Sequence, residues 1–244
     1  MNAFIQTDRN NMFYSVNAYV ADQGFRSLGW ETAPFFAVEE IEDKNPEIVV
    51  VGGVATIRQR LADLGIPFTG EEMEYPEELS GYLGRKVWLS TVEEVLKDES
   101  LRNIFIKPKE TKAFPGKIVR ELKDFTGLVN AERPTAVWCS ELFSFRTEWR
   151  CFVRYGELLD VRQYKGEWDS RIDLQVVRNA ISDFKTAPAA YALDFGIDDS
   201  GRMALVEVND GHSLGSYGMG VISYAKFLSA RWAELTGTTD YARF

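Results

Sequence analysis

The chain has 244 residues, 45% of them hydrophobic and 27% charged, and 28 basic against 37 acidic side chains give a formal charge of −9. That length allows one large domain or two small ones, and the acidic balance argues against non-specific nucleic-acid binding, which needs clustered positive charge. A single histidine, His212, excludes His-rich zinc sites and leaves little room for a Ser-His-Asp hydrolase.

The first residues, MNAFIQTDRNNM, lack the basic stretch and apolar core of a signal peptide. No apolar run approaches the roughly 20 residues that span a bilayer, so a cytoplasmic enzyme or binding protein is expected. Residues 1–85 read as a small α/β unit. It has an apolar start at residues 4–6, a helix over 12–28 ending near Gly29, a strand at PFFAVEEI and a better one at EIVVVGG, a β-branched run stopped by glycines. The next helix, TIRQRLADLGIP, puts Ile57, Leu61 and Leu64 on one face; Gly65 suits its C-cap and Pro67 prevents continuation. This alternation favours a mostly parallel sheet. VVVGG has neither GxGxxG nor a P-loop lysine and reads as a structural turn.

The acidic segment 70–84, with its Pro and Gly residues, reads as a connection to the remainder, 86–244. Ser90-Thr91-Val92-Glu93 fits a capping box opening the helix TVEEVLKDES, and NIFIKP is a strand ending at a proline. Strands are expected at AVWCSELF (136–143), EWRCFVRY (148–155), ELLDVRQY (157–164), AYALDFGI (190–197) and RMALVEVN (202–209). A helix is expected over 173–184 and a last one over about 219–235, stopped by Gly237. Cys139 and Cys151 lack CxxC spacing and read as buried core thiols.

The strongest chemical signal is YALDFGIDDSGRMALVEVN. With Ser200-Gly201 as a two-residue hairpin loop, Asp194 and Glu207 stand directly opposite each other, and Asn209 projects from the same face. Leu193, Phe195, Ile197, Ala204, Val206 and Val208 make the opposite, apolar face. Like charges facing across a sheet destabilise it, and a divalent cation would remove the conflict. Carboxylate and amide oxygens suit Mg2+ or Mn2+, with room left for phosphates and water; the alternative is a solvated hairpin face. Lys107, ending an apolar strand, offers a compact positive charge to a phosphate, and Lys109 and Lys112 follow in what otherwise reads as a solvated basic loop. Glu148 and Arg150 share a face opposite Trp149, Cys151 and Val153, either as a ligand-binding fork or as a surface ion pair. Arg162 is on the next strand, where the register around Gly156 leaves its face open.

FIKP, SELF, EWR, YALDFGID and LVEVN, in that order, resemble the ATP-grasp superfamily. FIKPKETKAFPGKIV, SELFSFRTEWRCFVRYGELL, APAAYALDFGID, LVEVNDGHSLGSYG and YAKFLSARWAEL are similar to its clade named for two arginines and a lysine, which occurs in bacteria and phages. The resemblance implies an ATP-grasp fold of two α+β lobes enclosing ATP, formed by 86–244 and preceded by the α/β unit 1–85. It implies that Lys107 and Lys112 bind the nucleotide phosphates, that Glu141, Leu142 and Phe143 meet adenine, and that Glu148 binds ribose. Asp194, Glu207 and Asn209 match Mg2+ ligands, and Arg150 and Arg162 match the clade's arginines, facing phosphate or an acyl phosphate. His212, Ser213, Ser216 and Tyr217 then lie near the reacting end, where the acceptor is held. The loop between Lys107 and Gly116 departs from the family in lacking a multi-glycine phosphate loop. The implied activity is ATP-dependent carboxylate–amine ligation through an acyl phosphate, joining an amino acid or peptide. Kinase-like phosphotransfer and a non-catalytic nucleotide-binding module are the alternatives.

Overall fold

The structure, a computed structural model, describes residues 1–68, 73–109, 114–128 and 134–244. Its N-terminal layer is parallel, as the strand–helix alternation predicts. β1 (Asn2–Gln6) lies between β2 (Glu31–Phe35) and β3 (Val49–Val51); α1 (Val16–Ser27) joins β1 to β2, and α2 (Val54–Asp63) follows β3. The strand expected at PFFAVEEI stops at Phe35 because the chain turns into a 3-10 helix at Val38–Glu40, where the Glu40 carboxylate accepts from the Phe36 N–H at 2.9 Å. Gln6 fastens the VVVGG turn, its Oε1 accepting from Gly53 N at 2.9 Å and Thr56 Oγ1 at 3.1 Å. A Cβ on Gly52 would stand 2.8 Å from that oxygen, so the glycine leaves room for the Gln6 side chain at the turn.

An antiparallel sheet follows in the order β4 (Val87–Thr91), β7 (Ala136–Glu141), β5 (Ile104–Pro108), β6 (Lys117–Val119). Ile104, Ile106, Val137 and Cys139 pack with Val92 and Val95 of α3 (Val92–Lys97). The two-residue period therefore turns Phe105, Lys107 and Ser140 to the other face. The capping box falls one residue later than its sequence spacing suggests, because β4 runs on through Thr91 and the helix opens at Val92. Thr91 Oγ1 accepts from Glu94 N at 3.1 Å, and Glu94 Oε2 accepts from Thr91 N at 3.2 Å.

The second antiparallel sheet has the order β11 (Met203–Asp210), β10 (Ala190–Ile197), β8 (Thr147–Arg154), β9 (Glu157–Lys165). One face packs Cys151, Leu193, Phe195 and Leu205 against α4 (Leu174–Asp183) and the turn carrying Leu79 and Leu83. The other face is divided along its length. Phe152 and Ala192, a cross-strand pair, join the core shared by the parallel sheet, α1 and α5 (Val221–Thr236). Two residues further along, the same face presents the pair Arg150 and Asp194. Both cysteines are buried and free, as expected.

The β10–β11 hairpin departs from the two-residue loop. Residues 198–202 connect the strands, and the Asp198 carboxylate accepts from Ser200 N at 2.9 Å and Arg202 N at 3.0 Å. Ile197 pairs with Met203 and Phe195 with Leu205, a register that alone would set Asp194 opposite Val206. A one-residue β-bulge at Val206 restores the offset, and Asp194 faces Glu207. The bulge also corrects the core: Leu205, rather than Val206, packs with Leu193 and Phe195. Gly237 ends α5 in the left-handed region at φ 65°. Among the described residues no helix is long and apolar enough to cross a membrane.

Candidate active site

A cleft of about 570 Å³ is walled by both antiparallel sheets, with Phe105, Lys107 and Ser140 from one and Glu148, Lys165 and Glu207 from the other. Lys107 spans it. Its Nζ donates to Glu207 Oε2 at 2.7 Å, lies 3.2 Å from Glu74 Oε2 and sits 4.9 Å from the centre of the Tyr75 ring. Burial works against this charge, but Glu207, Tyr75 and Glu74 outweigh it and hold the lysine above its ordinary pKa. Burial likewise pushes Glu207 up, and Lys107 overrides it and holds the carboxyl below its ordinary value.

Beside this contact, Arg150 grips Asp194 with two bonds, Nε to Oδ1 at 2.8 Å and Nη2 to Oδ2 at 2.6 Å. Burial dominates Asp194 and raises its carboxyl to about 6 despite that pairing. Asn209 Nδ2 donates to Asp194 Oδ2 and to Glu207 Oε1, each at 3.2 Å, so the trio expected from the hairpin does come together. The surface Glu148–Arg150 pair does not form. Glu148 instead accepts from Tyr164 Oη at 2.7 Å and pairs with Lys165. Arg162 stands directly across from Arg150, with its fork on Asp160 Oδ2 at 2.9 and 2.6 Å. The Arg150 guanidinium lies 4.5 Å from the Tyr217 ring centre and 5.7 Å from that of Tyr164.

Glu141, Leu142 and Phe143 line the same cleft. The Glu141 carboxylate accepts from Lys86 N at 2.9 Å, and Phe143 stacks on Phe145 at 4.4 Å. Lys112 lies outside the described residues. In the loop after β11, Tyr217 is the residue that reaches Arg150. Ser216 donates from N and Oγ to Asn17 Oδ1 at 2.9 and 3.0 Å, tying the loop to α1. His212 and Ser213 turn into a separate small cavity with Tyr14, Val51 and Gly52. There His212 Nε2 and Ser213 Oγ are buried with no hydrogen-bond partner among the described residues.

Among the residues that escaped the sequence reading are Tyr75 and Arg85 on the cleft wall and Glu74 against Lys107, all in or beside the segment read as a connection. Tyr164 escaped as well, although strand alternation from Arg162 would have placed it on the same face.

Two carboxylates and an amide, without nitrogen or sulfur donors, fit a hard divalent cation that keeps phosphate and water ligands. Among the described residues no group of three or more His, Cys, Asp or Glu side chains is placed to hold an ion. An ion at this trio would need further ligands from whatever fills the cleft. Lys107→Ala is expected to weaken ADP binding on the order of tenfold, about 1.4 kcal/mol. Lys109→Ala, outside the cleft wall, should leave it nearly unchanged. Calorimetric titration of both variants checks this, and equal losses would remove the reason for singling out Lys107.

Next to Asn209, Asp210 is held by the Arg231 fork at 2.7 and 2.5 Å and accepts from His212 N at 2.9 Å. His212 Nδ1 is 2.9 Å from Asp210 Oδ1 but is not aimed along a hydrogen bond. Burial alone would raise this carboxyl, yet the Arg231 fork brings it down from 3.8 to about 2. A depressed carboxyl contributes stability that is fully present above its ordinary pKa and is lost as pH falls from about 4 to about 2. The contribution is about 2 kcal/mol. Asp210→Asn should therefore be less stable than wild type at neutral pH, with the gap narrowing across that acid window. Urea melts at several pH values check it.

Two α+β lobes meeting at a cleft, one offering a strand-end lysine and the other an oxygen trio, define an ATP-grasp architecture. The chain belongs to the ATP-grasp domain family that is the second of the clade named for two arginines and a lysine, and that family's model matches residues 82–227. Among solved structures it is similar to D-cycloserine synthetase, with a TM-score of 0.61 at 11% identity over 95% of this chain and 100% of that chain. It is similar to D-alanine–D-alanine ligase from Bacillus anthracis complexed with ATP, with a TM-score of 0.56 at 14% identity over 96% of each chain. The ATP-grasp ligase PsnB, complexed with a minimal precursor, gives a TM-score of 0.56 at 11% identity over 96% of this chain and 99% of that chain. At such identities the likeness is one of fold. No curated protein sequence matches the chain.

Proposed function

We propose that the chain is an ATP-dependent carboxylate–amine ligase working through an acyl phosphate. The observation that carries this reading is Lys107 of one lobe bonded to Glu207 of the other, beside Asp194 and Asn209. A phosphate chain entering there finds a cation on one wall and oxygen ligands on the other. Adenine lies against Leu142 and Phe143 beside Glu141, ribose at Glu148, and the phosphates at Lys107 and Lys112. Mg2+ held by Asp194, Glu207 and Asn209 supplies neutralisation of phosphate charge.

The substrate carboxylate attacks the γ-phosphorus and ADP leaves. The acceptor amine then attacks the acyl carbon, and phosphate departs with the C–O bonding electrons. Lys107 exchanges its carboxylate partners for phosphate oxygens. Arg150, fixed by Asp194 and flanked by Tyr164 and Tyr217, places a cation beside the transferring phosphoryl group, with Arg162 behind it on the same face. Catalysis is positioning and charge stabilisation, without a covalent protein intermediate. The donor and acceptor, an amino acid or peptide, enter by the loop bearing His212, Ser213, Ser216 and Tyr217. Asn17 anchors Ser216, so the N-terminal unit shapes that end. ATP as co-substrate sets the reaction in the cytoplasm.

ADP release screened with amino acids and peptides, followed by product mass, tests the reading. Release should require carboxylate and amine together and give a product lighter than their sum by one water. Release without an amine, with a phosphorylated product, would replace ligation by phosphotransfer.

A further inference from the structure

Arg85 lies just before β4, and its guanidinium reaches across to the edge strand β11. Nη1 donates to the Leu83 carbonyl at 2.9 Å and to the Leu205 carbonyl at 2.8 Å, and Nη2 donates to the Val206 carbonyl at 3.1 Å. In a regular strand successive carbonyls point to opposite edges. One side chain can meet both because the chain is bulged there: Phe195 pairs with Leu205 and Asp194 with Glu207, leaving Val206 unpaired. The same bulge decides the register. Without it Asp194 would face Val206, and Glu207 would turn to the core face.

We propose that Arg85 is a positioning residue for the Asp194–Glu207–Asn209 trio, clamping the bulge that sets Glu207 opposite Asp194. The role rests on reading that trio as an ion site. The guanidinium also packs 5.2 Å from the Phe145 ring centre, which fixes its approach. A lysine has no planar fork to hold several carbonyls at once. Truncation would leave those carbonyls without their donor and free the bulge to slip.

The test uses the full chain, with Mn2+ as the probe. Its uptake in the presence of saturating ADP is followed by water-proton relaxation, and metal-free ADP affinity is measured separately. Arg85→Met is expected to weaken Mn2+ uptake on the order of tenfold, the loss usual when a metal site's support is removed. Metal-free ADP affinity should stay within about threefold, under 0.7 kcal/mol. Arg85→Lys, which keeps the charge, should show an intermediate loss, and it carries the measurement if Arg85→Met lacks a cooperative melt. Unchanged Mn2+ uptake in these variants, or a loss confined to metal-free ADP, would overturn the positioning role alone. A wild-type chain that takes up no Mn2+ with ADP would overturn the ion site and this role with it. Neither readout depends on turnover.

Discussion

Glu207→Gln is expected to melt like the wild type and to lose about a hundredfold in kcat, close to 3 kcal/mol of transition-state stabilisation. The stability half follows from the contacts. Glutamine keeps the shape and one acceptor oxygen, and Lys107 retains Glu74 at 3.2 Å as a second carboxylate partner. The catalytic half follows from charge. Arg150 keeps its two bonds to Asp194, whereas in the proposed complex Lys107 leaves Glu207 for phosphate, so Glu207 would be the less compensated negative ligand, and an amide in its place binds a hard cation weakly. Steady-state ADP release across a Mg2+ series, with a melt monitored by circular dichroism, checks both halves. Full ADP production by the variant would count against the metal assignment.

Arg150→Met should be the most destabilising single change in the cleft, at about 3–5 kcal/mol, because it strands a carboxylate in the interior. Asp194 is only 1% exposed, and Arg150 supplies two of its hydrogen bonds. Adding Asp194→Asn should recover part of the loss, since a neutral amide at that position no longer needs a counter-charge. Arg150→Lys separates folding from chemistry. It keeps the charge but loses the fork, so it should fold and still fall about a hundredfold in kcat. ATP affinity should change less, as befits a group used mainly in the transition state. A kcat near that of the wild type in Arg150→Lys would remove the catalytic role.

The oxygen trio was legible in the sequence, though partly through two errors that cancel. The loop between β10 and β11 is centred on Ser200 rather than between Ser200 and Gly201, which shifts the register by one, and the bulge at Val206 shifts it back by one. Nothing local in ALVEVN marks a bulge; the chain shows it through Arg85, 120 residues away along the sequence. Arg162 illustrates the same limit. Tyr155 and Gly156, both at positive φ, make a tight turn, but β9 then slips between the Phe152 and Val153 pairs, and that slip turns Arg162 to the Arg150 side. A period-two reading cannot place such a slip. Lys107 was legible because it ends a clean apolar strand. Glu74 and Tyr75 were not, because their segment has no periodicity and meets the cleft only through long-range contacts such as Glu74 with Lys107. β4 and β6 also went unread, being short outer strands of their sheet.

The stretch matched by the family ends at residue 227, midway through α5, and begins at 82, after the parallel sheet. Recognition and folding therefore have different boundaries in this molecule. Tyr224, Phe227, Leu228 and Trp232 of α5 are buried in one core with Ile5, Phe25 and Val50. A fragment trimmed to the matched stretch would lose half of that helix and leave the rest facing water, an apolar surface of the kind that drives self-association. A fragment beginning at residue 86 would keep α5 whole but strip its cover. Exchange of substrate-facing parts between relatives of this clade would have to carry the parallel sheet and α5 together as one transplanted body, whatever the extent of the recognisable motif.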